Sequence, residues 1–447
     1  MKQRFNLLKR IVIVINIAYN FPVYGQINTS NTYKQVFGDS LSLDKIINVV
    51  VQNHPSVKEM IEAITSADAG IGLAKSGYYP NFDAEASYTR LGPADKMTIP
   101  NLGSFELYPV DNYSASLNYE QNIYDFGKTA KNVEYANEIK NLSQLSVEQV
   151  KQKRASAVTY LYYTVVYLQE AILINKEQLN TFNEHLDFIQ KKEATGSATQ
   201  YEIISTKVKI SNVESQGIDL ETTLDNQLTE INSLMGQAAD ARFNVKKDLE
   251  IKLPNLPTDS LIQFAYTHRD ETKILDEKTT IAGLKYKIVK AQDNPVFNLF
   301  ASGGGKNGYF PDLNKVKANY AAGVGFKFPI FDGTRSKYSL LQAKSVVQTT
   351  TLETEIAKRN ISSEVTENEE NLKSSLKKIE HNELQLVQAQ QAFALAQTSF
   401  KAGNIINLDM LDAATTVSKS KLILLKSKID YILNVYKLKA ALGQRLY

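Results

Sequence analysis

Residues able to do chemistry occur in this chain, but few of them stand at spacings that suit a reaction. Asp409 and Asp412, in LDMLDA, are three apart and so share one face of a helix, where two carboxylates could attract a cation or simply favour a helix start. Ser302 to Lys306 is a glycine run ending in lysine, yet it lacks the Ser or Thr that completes a phosphate loop, so it reads as a turn between strands. His54, His185, His268 and His381 show no ligand spacing such as HExxH and read as solvated helix positions. Glu367, Glu369 and Glu370 read as a solvated helix face. With no cysteine there is no thiol nucleophile, thiolate metal site, disulfide or lipidated N-terminus. No nucleophile stands with a base, so the sequence predicts no enzyme, no metal and no cofactor.

The elements that position these residues follow from a duplication. Asn112 to Asp125, NYSASLNYEQNIYD, recurs 207 residues later as Asn319 to Asp332, NYAAGVGFKFPIFD. The same shift carries Gly196 onto Gly403, Glu202 onto Asp409, and Met235-Gly236-Gln237 onto Leu442-Gly443-Gln444. Before the strands the shift is 215, carrying Asp44 onto Asp259 and Pro80 onto Pro295, so the first copy holds one longer loop. The expected division is a signal peptide at 1–25, a first repeat at 26–237, a linker at 238–258 and a second repeat at 259–447. The signal reading rests on Lys2, Arg4, Lys9 and Arg10 ahead of the apolar run Ile11 to Ala18, too short to span a bilayer. No later window is expected to be a membrane helix. A net charge of +3, from 51 basic and 48 acidic residues with no basic block in the mature chain, excludes nucleic acid as a partner.

Each repeat reads as a lead-in helix, two strands, one long helix and one returning helix. The first lead-in helix, Leu43 to Gly77, is interrupted near His54 by Pro55; the second, Asp259 to Gln292, repeats it. Strands are expected near 81–90, 112–125, 296–302 and 319–331, separated in the first copy by a long loop from Arg90 to Asp111. Long helices are expected at 128–195 and 334–402, which contain neither proline nor glycine and would each reach roughly 100 Å. The returning helices are expected at 200–236 and 408–442. Gly196 and Gly403 stand where a helix end needs a left-handed residue.

The strands alternate. Tyr113, Ala115, Leu117, Tyr119 and Ile123 oppose Asn112, Ser114, Ser116, Asn118, Glu120 and Asn122, while Tyr320, Val324, Phe326, Phe328 and Ile330 line the matching face of the second copy. A soluble sandwich would turn the apolar face into a core; an outer-membrane barrel would turn it to lipid. In the barrel reading Tyr113, Leu117, Tyr119, Val324 and Phe326 face lipid, and Ser116, Asn118, Gly325 and Lys327 face the lumen. Four strands cannot close, and a membrane tolerates no free edge, so several chains must contribute; three would give twelve strands and room for water. A coiled-coil structural protein of the periplasm or cell surface, without transport, is the competing reading.

The motifs YPNFDAEASY, QNIYDFGK, FPIFDGTRSK and AGNIINLDMLDAATTVSKSKL with its closing KAALGQ together resemble the TolC-like outer-membrane efflux protein family, over about Leu41 to Gln444. The resemblance implies an α+β membrane protein: a homotrimer with a 12-stranded β-barrel in the outer membrane of a Gram-negative bacterium, continued by an α-helical barrel across the periplasm. It implies a passive exit duct for efflux or type I secretion, docked on a periplasmic adaptor and an inner-membrane pump. It places Asp409 and Asp412, with Glu202 as their first-copy counterpart, at the periplasmic entrance gate, and Gly196 and Gly403 at the adaptor-docking tip turns. Where the family has a tyrosine and an arginine that lock the tip, this chain has Phe400 and Ile405.

Overall fold

A computed structural model describes residues 40–93, 96–100, 103–247 and 258–447. The expected signal peptide at 1–25, the first repeat up to residue 39 and residues 248–257 of the linker lie outside the described residues. The elements run α1 (Leu43–Asn53), α2 (Pro55–Ser76), β1 (Asn81–Arg90), β2 (Lys96–Ile99), β3 (Gly103–Glu106), β4 (Asp111–Tyr124), α3 (Lys128–Ala194), α4 (Gln200–Met235), α5 (Thr258–His268), α6 (Asp270–Ala291), β5 (Val296–Lys306), β6 (Lys317–Lys327), α7 (Arg335–Lys401) and α8 (Asn407–Ala441).

The two long helices run 67 residues each, because nothing in their sequences interrupts the backbone ladder. Each begins on a left-handed pair set by the strand before it. Phe126 and Gly127 have φ of 53° and 79°, and their counterparts Gly333 and Thr334 have 70° and 71°. Asp125 accepts from the Thr129 amide at 2.7 Å and Asp332 from the Ser336 amide at 2.7 Å, so an aspartate caps each helix start. The glycines at the far ends, Gly196 at φ 74° and Gly403 at 79°, reverse the chain into α4 and α8.

α4 and α8 return along α3 and α7, and α1 touches both α3 and α4, so short helices stack beside a long one. Their meeting point is the largest core: Val50, Tyr162, Ile231 and Ile432 are all at most 1 % exposed. There Leu41 pairs with Val245 as a parallel bridge, and the Tyr162 hydroxyl donates to the Lys246 carbonyl at 2.6 Å. Helix α3 contains one 18-residue window apolar enough to cross a membrane, where no such window was expected. Since 56 % of it is buried within the chain, it serves this core.

The second lead-in helix breaks as the first does, between α5 and α6 at Arg269, although no proline stands there. Gly443 packs tightly against the break: a Cβ on it would lie 2.7 Å from the Arg269 amide nitrogen and the His268 carbonyl carbon. Arg445 grips Asp270 on the far side of the same break.

The four long strands form one antiparallel sheet in the order β1-β4-β5-β6, leaving β1 and β6 as its edges. Three expectations change here. The loop from Arg90 to Asp111 holds a short hairpin, β2 paired with β3. Ser302 to Lys306 is not a turn: β5 runs through it, and the Gly304 backbone presses so closely on β4 that a Cβ would lie 2.1 Å from the Ala115 carbonyl oxygen. Strand β6 stops at Lys327, ahead of Pro329, so Phe328 and Ile330 fall outside it.

Candidate functional site

Two regions gather the expected site residues: the sheet and the turn end of the helices. On the sheet, Leu117 pairs with Ala84 and Gly303, Tyr119 with Phe82 and Ala301, and Val324 with Leu299. Cross-strand partners share a face, so Tyr113, Leu117, Tyr119, Val324 and Phe326 lie on one side. Ser116, Asn118, Gly325 and Lys327 lie on the other, with Asp83, Glu85 and Glu120. A bulge shifts the register between Asn122 and Tyr124, so Tyr124 rather than Ile123 stands opposite Phe297.

The apolar face carries ring pairs between neighbouring strands. Phe82 and Tyr119 are 5.1 Å apart, Tyr88 and Tyr113 5.2 Å, and Phe297 and Phe326 4.8 Å. Phe82, Tyr88, Tyr113, Leu117, Val324 and Phe326 are all exposed within the chain, while Tyr119 and Phe297 are half-buried. Phe300 is the one aromatic on the polar face of the described strands, and its ring overlies Gly323, where a Cβ would come within 2.7 Å of it.

At the turn end, four helix termini converge on an apolar cluster of Phe182, Ile189, Ile203, Ile210, Phe400, Met410 and Leu411. Phe400 is 6 % exposed and Ile405 packs at the cluster's edge, so both side chains are held by hydrophobic contact. Full burial of such a side chain contributes about 1.5–3 kcal/mol. Lys192 sits 5.1 Å from the Phe400 ring centre and 5.3 Å from that of Phe188.

The three expected gate carboxylates have separate fates. Glu202 closes a capping box: its carboxylate accepts from the Thr199 amide at 2.7 Å, and its own amide donates to the Thr199 hydroxyl at 3.3 Å. Asp412 is paired with Lys209 of α4 at 3.0 Å. Asp409 stands exposed in the first turn of α8, where Ile406 in the cap position offers no side-chain oxygen, and it forms no ion pair among the described residues.

His185 was expected to be solvated and is instead 5 % exposed, with its Nε2 2.6 Å from Asn407 Oδ1. Burial pushes its imidazolium below the ordinary 6.5, against the opposing Asn407 hydrogen bond and Glu202 carboxylate. His54 is half-buried and caps α2 by accepting from the Ser56 amide at 3.1 Å. His268 and His381 are exposed. No group of three or more His, Cys, Asp or Glu side chains able to hold a metal occurs among the described residues.

Comparison with known proteins agrees with this architecture. The sequence profile of the family described as "Outer membrane efflux protein" matches residues 46–237 and 282–444. Outer membrane protein TolC of Escherichia coli is 21 % identical over 389 residues, spanning 81 % of this chain and 78 % of that one. Proteases secretion protein PrtF of Dickeya chrysanthemi is 22 % identical over 368 residues, spanning 77 % and 76 %. Among solved structures, the outer membrane protein VceC of Vibrio cholerae superposes with a TM-score of 0.75 at 18 % identity, over 91 % of this chain and 97 % of that one. The open state of the Neisseria gonorrhoeae MtrE outer membrane channel superposes with a TM-score of 0.73 at 16 % identity, over 94 % and 95 %. The chain belongs to the outer membrane efflux protein family, and is an outer-membrane channel that reaches into the periplasm.

Proposed function

We propose that three copies of the chain close a 12-stranded barrel and form a passive exit duct, which docks on a periplasmic adaptor and, through it, on an inner-membrane pump for efflux or type I secretion. One observation carries this reading: the sheet has four long strands, two unpaired edges in β1 and β6, and a single apolar face bearing exposed aromatic rings. Unpaired backbone groups cost several kcal/mol each in a bilayer, so the edges must pair, and an edge from a second copy is the available partner. The apolar face then meets lipid and the polar face lines the lumen. The preceding segment 1–25 acts as the export signal, and the two repeats at 26–237 and 259–447, joined by the linker at 238–258, each contribute one pair of strands and one helical column.

Gly196 and Gly403 form the docking turns, and Asp409 and Asp412 lie at the entrance. A coiled-coil structural role would leave the apolar sheet face without a solvent that suits it. Fractionation tests the proposal: the protein should partition with outer membranes and run as a heat-sensitive oligomer, and recovery as a soluble periplasmic monomer would refute it.

A further inference from the structure

One polar contact at the turn end is buried where its surroundings are apolar. His185 of α3 meets Asn407, the first residue of α8 and 4 % exposed, across 2.6 Å. The Asn407 amide donates to the Thr206 hydroxyl at 3.1 Å and reaches the Glu202 carbonyl and Ser205 hydroxyl at 3.4 Å, all on α4. The His185 ring lies 5.1 Å from that of Phe400, near the end of α7. A single pair of side chains therefore touches all four helices of the tip and joins the first repeat to the second.

We propose that the His185–Asn407 bond is a proton-sensitive latch: with the imidazole neutral it holds the start of α8 against α3 and α4, and protonation releases α8 from them. The proposal rests on the duct reading only for what release would accomplish, which is widening of the periplasmic entrance. Its chemistry rests on the contact. A neutral imidazole with the proton on Nε2 donates to Asn407 Oδ1 and needs nothing more. The imidazolium gains a second N–H and a charge, and a buried charge without a paired carboxylate is costly.

The charged groups facing His185 do not supply that pairing. Glu184 and Lys401 line the same small cavity from α3 and α7 and are opposite in sign. Lys192 adds a positive charge over the adjoining rings. From α4, the Glu202 carboxylate is held at its cap by Thr199. On α8, Asp412 is taken by Lys209 and Asp409 is solvent-exposed. No carboxylate forms an ion pair with His185 among the described residues.

The test uses the purified full chain in detergent, with amide hydrogen exchange over residues 403–411 corrected for the pH dependence of the intrinsic rate. Because burial makes the packed imidazole bind a proton less tightly than the released one, opening becomes more favourable as pH falls through the imidazole range. Exchange should therefore rise severalfold between pH 7.5 and 5.5. His185→Gln, whose amide still donates to Asn407 but does not titrate, should exchange slowly at both pH values. Asn407→Leu should exchange fast at both, with α1 and α5 unchanged. A flat native profile, or an equal rise in His185→Gln, would overturn the latch. Conductance in planar bilayers separates this from the duct reading: pH-dependent exchange without any conductance would leave the latch standing and remove the duct. Conductance with pH-independent exchange would do the reverse.

Discussion

Lys209 of α4 and Asp412 of α8, 203 residues apart in the chain, meet across 3.0 Å at the turn end of the molecule. The pair is exposed, so it contributes only about 0–1 kcal/mol to stability. Its consequence is electrostatic: it neutralises one of the two carboxylates on this face of α8 and leaves Asp409 as the free charge. With Asp409 and Asp412 at the proposed entrance, the channel should prefer cations and be blocked by multivalent cations from the periplasmic side, and Asp409→Asn should remove most of both effects, whereas Asp412→Asn should remove less. Loss of about 1 kcal/mol of attraction raises the blocking concentration roughly fivefold. Lys209→Gln should act in the opposite direction, tightening the block. Planar-bilayer recording checks all three, and equal effects of the two aspartate variants would contradict the division of labour.

The two faces of the sheet should respond differently to a charge. Arg at Leu117 or Val324 should cost about 2–4 kcal/mol near the bilayer midplane, and Arg at Ser116 little. Heat-sensitive oligomer recovered from outer membranes measures this; equal loss from both faces would remove the assignment of lipid and lumen.

Gly196 and Gly403 hold φ of 74° and 79° in open surroundings, with nothing near the place a Cβ would occupy. Val there meets no clash with neighbours, only backbone strain, which for a β-branched residue in the left-handed region exceeds the roughly 1–2 kcal/mol of an ordinary side chain. Gly196→Val and Gly403→Val should distort the turns and abolish export while the oligomer level is kept. Unchanged export in both would show that these turns do not dock.

Glu277 of α6 lies against Glu138 of α3, and burial together with that neighbouring carboxylate raises the Glu277 carboxyl to about 7. A raised carboxyl opposes folding where it must ionise, so the penalty is absent below the ordinary 4.5, grows as pH rises and is full above about 7. Glu277→Gln should therefore raise the thermal midpoint in detergent at pH 8, with the gain vanishing toward pH 4. A gain of equal size at both pH values would trace to packing instead.

Much of the fold was legible because single local rules decided it. The absence of glycine and proline marked both 67-residue helices, and the paired glycines marked their ends. Misreadings arose where distant chain segments decide. The glycines of β5 read as a turn, yet the strand runs through them, and Gly304 lies where β4 leaves no room for a Cβ. The break at Arg269 has no proline to signal it, and the residue packed against it, Gly443, is far away in the chain. Four-residue β2 and β3 are too short for an alternation to stand out. At the site, Asp409 and the turn glycines were visible in the repeat. The burial of His185 was not, because its partner Asn407 is 222 residues away and lies in a segment that otherwise reads as an ordinary helix start.

In the proposed duct the β1 edge of one copy pairs with the β6 edge of the next until three copies close. The chain has no native cysteine, so Ser87→Cys on β1 and Ala321→Cys on β6, both on the polar face, give a clean pair of handles. Treating outer membranes that hold the double variant with a flexible bis-maleimide should yield a ladder on denaturing gels that stops at three chains. Either single variant should yield no such ladder. A ladder that stops at two, continues past three, or never leaves the monomer would contradict the closed trimer.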